Sequence, residues 1–411
     1  MGRVIGIIAE YNPFHNGHYY HMQKAKQVAG ADFCVAVISG NFTQRGDTSI
    51  VNKWAKAYMA ICGGADLVLE LPTIYSISSA ENFASGAIKI LDSLKVVDCF
   101  SFGAEANDLA TLNNIANVLY DEPRTYTNIL NHELQKGISY PAARENALLM
   151  YLNDIKRYAN VINNPNNILA IEYLKALKTQ KSKLEPIMIK RNKVYYNDDR
   201  IVDDFASATA IRKLLARREY EDLRKVMPRS TYQILGQEMR NGHMVLSLDK
   251  FEKEIIYTIR RMTTAEIADL PDVSEGLENA IKNAADNCNT LKELIESVKS
   301  KRYTQTRIQR ILLYALLGTN KKMMENSKKV TPYARVLGFT QKGKSLISEI
   351  SKANPKINMI TSVKKYMEQN NNRQLQEMLK TDIFATDIYT LGYEYDSKAN
   401  LDFTNNMIIT N

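Results

Sequence analysis

At 411 residues the chain exceeds one ordinary domain and is long enough for two or three. Hydrophobic residues make up 45% and charged residues 24%, which excludes a disordered polar chain. Lys and Arg exceed Asp and Glu, 54 to 45, for a net charge of +9, which suits either a plain solvated basic surface or an anionic partner larger than a nucleotide. No apolar run approaches the roughly 18–20 residues that span a bilayer, and no secretory signal is visible. A cytoplasmic protein with no membrane partner is therefore expected. Cys34, Cys62, Cys99 and Cys288 form no CxxC pair, and the five histidines are scattered, so reduced thiols and no structural metal site are expected.

The first apolar run, Val4–Ala9, reads as a buried strand. Asn12-Pro13-Phe14-His15-Asn16-Gly17-His18 then forms a turn, and a helix pattern covers 19–28. A helix start offers unpaired N–H groups and the positive end of the dipole, a favourable place for phosphate oxygens. Gly17 has no Cβ to keep a phosphate from the backbone. His15 and His18 add two donors aimed at the same point, where charge building on a phosphoryl group can be held. The plainer reading is that the two histidines cap the helix.

Further strands are expected at Phe33–Ser39, Leu67–Leu71 and 96–102, with helices at Lys53–Cys62 and 80–91 between them. Alternating strands and helices imply a parallel sheet with right-handed crossovers, whose ligands lie beyond the carboxyl ends of the strands. The polar and glycine-rich stretches 11–18, 39–47 and 103–107 fall at those ends. Gln44 and Arg45 in the second stretch can face the crevice or be ordinary loop residues. Lys53 and Lys56, one turn apart, are weaker candidates. Gly103 permits a nucleobase or ribose to lie against the strand end, and Glu105 follows it.

From 108 to 160 the pattern is mainly helical. Asn166 and Asn167, in an Asn-rich turn before a helix at 168–177, can bond both edges of an adenine or simply cap the helix. Arg191 follows a strand at Glu185–Lys190. Ser207, Thr209 and Arg212 open another helix suited to phosphate contacts. This unit closes near 225. Residues 226–411 read as mostly helical, with helical spacing at Ile308, Ile311, Leu312 and Leu316. Their densest basic stretch holds Lys299, Lys301, Arg302, Arg307 and Arg310 around Tyr303, which suits phosphates and a stacked base or a charged helix face.

His15-Asn16-Gly17-His18 resembles the HxGH signature of nucleotidylyltransferases and class I aminoacyl-tRNA synthetases. "EYNPFHNGH", "SGNFTQRG", "NKWAKAYMA", "FGAE", "PNNILAIEYLKAL", "SATAIRK", "KRYTQTRIQR" and "YARVLGF" occur in order. Over nearly its whole length the chain is similar to the bacterial tRNA(Met) cytidine acetate ligase family. That resemblance implies an α/β, Rossmann-like nucleotidylyltransferase domain with a parallel sheet at 1–225, followed by a mainly helical, tRNA-binding domain at 226–411. It implies that acetate is activated by ATP, with Mg²⁺, to acetyl-adenylate and pyrophosphate. The acetyl group then passes to N4 of the wobble cytidine of elongator tRNA(Met), giving N4-acetylcytidine. It further implies an ATP site of Ile7, Ile8, Ala9, Glu10, Tyr11, Asn12, Pro13, Phe14, His15, Asn16, Gly17, His18, Tyr19, Tyr20, Gly103, Asn166 and Arg191, with His15 and His18 catalytic. A small-molecule nucleotidylyltransferase releasing pyrophosphate is the alternative. It would leave half the chain, and its positive charge, without a task.

Overall fold

The computed structural model describes residues 2–106, 108–191, 206–274 and 276–410. Asn107, expected at the end of a crevice turn, lies outside them. The described strands form one sheet: β1 (Val4–Ala9), β2 (Phe33–Ser39), β3 (Leu67–Leu71), β4 (Cys99–Ala104), β5 (Glu185–Lys190), β6 (Ala334–Thr340), β7 (Met359–Ile360) and β8 (Ile408–Thr410). Their order is β5-β4-β1-β2-β3-β6-β7, with β8 also on β6.

β1 to β5 run parallel. The chain steps outward from β1 through β2 to β3, then crosses back to place β4 on the other side of β1. The order therefore reverses between β1 and β4. At that point the two strand ends diverge into a crevice, the usual ligand position in such sheets.

The strands are nearly continuous apolar runs because both faces are covered. Val4 and Ile8 join one core, Ile5 and Ile7 the other. Eight helices matter for the site: α1 (Asn16–Ala29), α2 (Lys53–Cys62), α3 (Ala80–Ser93), α4 (Tyr140–Leu152), α5 (Pro165–Thr179), α6 (Ala208–Arg217), α7 (Gln305–Leu316) and α8 (Arg373–Thr390). Met22 and Ala25 of α1, Met59 and Ala60 of α2, and Ile211 of α6 pack in one core. Phe83 and Ile88 of α3, Ile171 and Leu174 of α5, and Ile308 and Ile311 of α7 pack in the other.

The half beyond 226 is mostly helical, but it also extends the sheet. β6 lies antiparallel on β3, and β7 and β8 lie parallel on β6. These three strands escape the sequence reading. Arg335 and Gly338 interrupt the apolar run of β6, and β7 and β8 are two and three residues long. Among the described residues, no helix is long and apolar enough to cross a membrane.

Candidate active site

β1 ends at Ala9, and the chain turns sharply before α1. Tyr11 takes a left-handed backbone, φ 49°, and its ring is buried edge-on to Phe14 at 4.8 Å and to His18 at 4.9 Å. The Asn12–Pro13 bond is cis. Asn12 is buried and spends its side chain on the loop beyond β2: its amide donates to Thr48 O at 2.9 Å, and its carbonyl accepts from Ile50 N at 2.8 Å. Phe14 fills the space over Gly63, where a Cβ would come within 2.4 Å of its ring.

His15 is the N-cap of α1. Its Nδ1 accepts from Gly17 N at 3.0 Å, and His18 Nδ1 accepts from His15 N at 3.3 Å. Two imidazoles thus form the reciprocal box that Ser or Thr and Glu usually make. The plain capping role is real, and it fixes both rings. His15 Nδ1 accepts a backbone N–H, so its neutral tautomer carries the proton on Nε2, while the His18 ring also hydrogen-bonds the Pro13 carbonyl. The rings stack at 3.7 Å with a 22° tilt. Gly17 has a second reason to be glycine: a Cβ there would lie 2.9 Å from His15 Cε1.

Burial, then the positive charge of Arg191, pulls His15 down to about 3 and His21 to about 4. Burial first, and His15, Arg191 and His21 after it, hold His18 well below the ordinary histidine value. All three rings are neutral near neutral pH, and His21 Nε2 is 3.0 Å from Ser101 Oγ.

These groups face a cavity of about 1090 Å³ at the strand-order reversal. Ile8, Ala9, Glu10, Tyr11, His15, Gly17, His18 and Tyr20 line it from the first turn, and Gly103, Asn166 and Arg191 close it from β4, α5 and the end of β5. Gly103 makes room for the Arg191 stem, since a Cβ would lie 3.1 Å from its Cγ and Cδ. Gln44 and Arg45 also reach the cavity. Gln44 N donates to Glu10 Oε1 at 2.7 Å.

Asn166 and Asn167 differ in their bonds. Asn167 is fully buried. Its oxygen accepts from Glu105 N at 2.8 Å and Ala106 N at 3.1 Å, while its amide donates to Val161 O at 3.0 Å. It shapes the turn after β4, whereas Asn166 lines the cavity with its amide donating to Glu105 Oε1.

Other expected residues support the site from behind. Ile7 is buried in β1. Asn16 donates to Lys225 O at 2.8 Å, and Tyr19 is exposed. Ser207 caps α6 by accepting from Ala210 N at 3.0 Å. Arg212 donates to Thr209 Oγ1 and to Asn12 O, both at 3.2 Å. Ser207, Thr209 and Arg212 thus brace the turn and are not among the cavity-lining residues.

Lys53 and Lys56 are both buried in structural roles. Lys56 Nζ donates to Ser39 O (2.8 Å), Gly40 O (2.6 Å), Glu10 O (3.2 Å) and Ser49 Oγ (2.7 Å). Burial pulls its pKa down to about 7, opposed by the charges of Glu10 and Glu70.

In the basic segment, Lys301 and Arg302 are exposed and Tyr303 is half-buried. Arg307 stands over the Tyr303 ring at 5.4 Å and donates to Asp272 O and Ser274 Oγ, each at 2.8 Å. Arg310 pairs with Asp272 Oδ2 at 2.7 Å and, with Thr304 and Thr306, lines the same cavity.

Sequence reasoning missed further lining residues: Ser79 and Glu81 at the start of α3, Tyr140 and Arg144 of α4, and Glu172 of α5. The available signal was Glu172 itself, a lone charge inside the run Ile168 to Leu174.

The geometry agrees with the relatives. Residues 2–403 match the model of the HIGH Nucleotidyl Transferase family. The tRNA(Met) cytidine acetate ligase of Thermoanaerobacter pseudethanolicus is 45% identical over 98% of this chain and 99% of its own. The protein of the same name from Acetivibrio thermocellus is 44% identical over 99% of this chain and 100% of its own. Two crystal structures of Thermotoga maritima TmcAL superpose over 99% of both chains. The apo form gives a TM-score of 0.94 at 33% identity. The form bound with alpha-thio ATP gives 0.92 at 32%. The chain belongs to the HIGH nucleotidyl transferase family, and within it to the tRNA(Met) cytidine acetate ligases.

Proposed function

We propose that this chain activates acetate with ATP and transfers the acetyl group to N4 of the wobble cytidine of elongator tRNA(Met), in the cytoplasm. The observation that carries the reading is the convergence of His15, His18, Asn166 and Arg191 on one cavity at the β1/β4 reversal. The likeness to TmcAL bound with an ATP analogue supports the same reading.

The ATP site proposed is the segment 7–20 with Gly103, Asn166 and Arg191. Within it His15, His18 and Arg191 meet the phosphates, and Asn12, Phe14 and Asn16 hold the turn. An acetate oxygen bonds to the α-phosphorus while the bond to the β-phosphate bridging oxygen breaks, and pyrophosphate leaves with the electron pair. Acetate is already an anion near neutral pH, so positioning and charge stabilisation carry the step. The two imidazoles and Arg191 hold the charge that builds on the phosphoryl oxygens. In the second step the cytosine amine attacks the acetyl carbon, AMP departs, and the amine loses a proton. An anticodon base is already single-stranded, so presenting it costs little.

Among the described residues no group of three His, Cys, Asp or Glu is placed to hold a metal ion. The proposed Mg²⁺ is therefore one that arrives on the triphosphate, with phosphate and water oxygens as its main ligands.

The decisive assay is exchange of labelled pyrophosphate into ATP without RNA. Acetate-dependent exchange is expected, followed by transfer of labelled acetate to tRNA. Exchange that depends on another acceptor, with no label reaching RNA, would favour a metabolite nucleotidylyltransferase.

The basic segment at the start of α7 is proposed as a tRNA contact. Arg307 and Arg310 are tied to Asp272 and Ser274, so the freer cation is Lys301, with Arg302 and the Tyr303 ring beside it. In a salt series, Lys301→Ala is expected to make the slope of log affinity against log salt shallower by about 0.7–0.9. An unchanged slope removes this residue from the interface.

A further inference from the structure

We infer that Arg144 and Glu172 form the pocket for the acceptor base and select cytosine by meeting its Watson–Crick edge as guanine does. The inference rests on the ligase reading above and names the place where that substrate is recognised.

The cavity is larger than one substrate needs. Its volume of about 1090 Å³ exceeds the roughly 300–1,000 Å³ of an ordinary small-molecule site. The histidine turn occupies one side. Another part is a lobe lined by α4 and α5, with Leu148 and Ile171 apolar and Tyr140 exposed.

Two charged groups from different helices meet in this lobe. Arg144 donates to Glu172 Oε1 at 2.6 Å, and the Glu172 side chain is 1% exposed. The other carboxylate oxygen, Oε2, has no hydrogen-bond partner, and neither has the buried hydroxyl of nearby Tyr126. Burial pushes that hydroxyl up to about 12, with Tyr140, Arg144 and Glu172 all close enough to act on it. A buried carboxylate oxygen without a donor is costly, and most such groups in folded proteins are satisfied.

The pattern of the pair fits one pyrimidine. Cytosine presents the N4 amino donor beside two acceptors, N3 and O2. Glu172 offers an acceptor suited to N4–H. Arg144 beside it is a guanidinium with five N–H donors, one of them spent on Oε1. Uracil has an oxygen where cytosine has the amine, so two acceptors would face each other without a proton between them. A site built from such polar groups rejects the mismatched base strongly, because the groups are left unpaired. The exposed Tyr140 gives the base a face to stack on.

The test uses the full-length protein and anticodon stem-loop RNA with cytidine or uridine at the acceptor position, without ATP. The wild type is expected to bind the cytidine RNA at least ten-fold more tightly. Equal binding overturns the inference. Glu172→Gln can turn an amide donor to the base where the carboxylate accepted. It is expected to lose that ten-fold preference and nearly all acetyl transfer, while acetate-dependent pyrophosphate exchange stays within two-fold of wild type. Wild-type transfer by Glu172→Gln also overturns the inference. If this variant loses exchange along with thermal stability, the wild-type binding comparison decides alone. Absence of acetate-dependent exchange in the wild type is a separate result, which removes the ligase reading and this inference with it.

Discussion

His18→Ala is expected to lower acetate-dependent pyrophosphate exchange by at least about 10²–10³-fold, the usual consequence of removing one donor aimed at charge that develops in the transition state. Affinity for tRNA is expected to stay within about two-fold of wild type, because phosphate contacts elsewhere supply that binding. His18 also has a structural task, since its Nδ1 accepts from His15 N and its ring stacks on His15. Loss of a cap costs about 0.5–2 kcal/mol, so alanine alone cannot separate the two roles. His18→Asn can. The asparagine oxygen sits where Nδ1 sits and can accept from His15 N, but nothing replaces the far side of the imidazole ring. Asparagine is therefore expected to restore the melting temperature and leave exchange as low as alanine does. Recovery of exchange in His18→Asn would assign the histidine to capping and remove it from the chemistry.

The site was legible where local chemistry and function demand the same residue. His15, Gly17 and His18 occupy one strand–turn–helix junction: Gly17 makes room for the His15 ring, and each ring caps the helix that aims it. The parallel half of the sheet was legible too, because strands buried on both faces are short unbroken apolar runs. What escaped reading lies in pairings between distant segments. β6 joins the sheet through Arg335, a charge that argues against a buried strand until Glu70 and Asp402 are seen beside it. Lys53 and Lys56 looked like candidate site cations, yet both point inward to partners far along the chain or in the loop before them. Glu172 stands out in sequence as a lone charge in an apolar run, but its pairing with Arg144 does not, since only the fold brings α4 near α5.

Arg335→Met is expected to destabilise the fold by about 3–5 kcal/mol, the typical cost of stranding a buried charge. That is a large part of the roughly 5–15 kcal/mol that holds a domain folded. Four charges meet where β6 crosses β3. Lys53 Nζ lies 3.0 Å from Glu70 Oε1 and 2.7 Å from Asp402 Oδ1. Arg335 lies 3.0 Å from Glu70 Oε2 and also pairs with Asp402. All four are at most 4% exposed, with almost no water between them, and buried Asp382, pushed up to about 7 by burial and then by Glu70, lies close enough to act on them. Removing Arg335 leaves Lys53 alone against two buried carboxylates. Arg335→Met combined with Asp402→Asn removes one charge of each sign and leaves the Lys53–Glu70 pair intact. The double variant is therefore expected to be more stable than Arg335→Met alone, with a coupling of about 0.5–3 kcal/mol. Denaturant unfolding of the two single variants and the double variant measures this directly, and additive losses would sink the account. The effect reaches the site through the loop after β2. A Cβ on Gly40 would lie 2.7 Å from Glu70 Oε1, and Asn41 Oδ1 accepts from Lys53 N at 2.9 Å. The same loop carries Gln44 and Arg45 to the cavity wall, so loosening the four-charge cluster displaces one side of the proposed nucleotide site even where the protein stays folded.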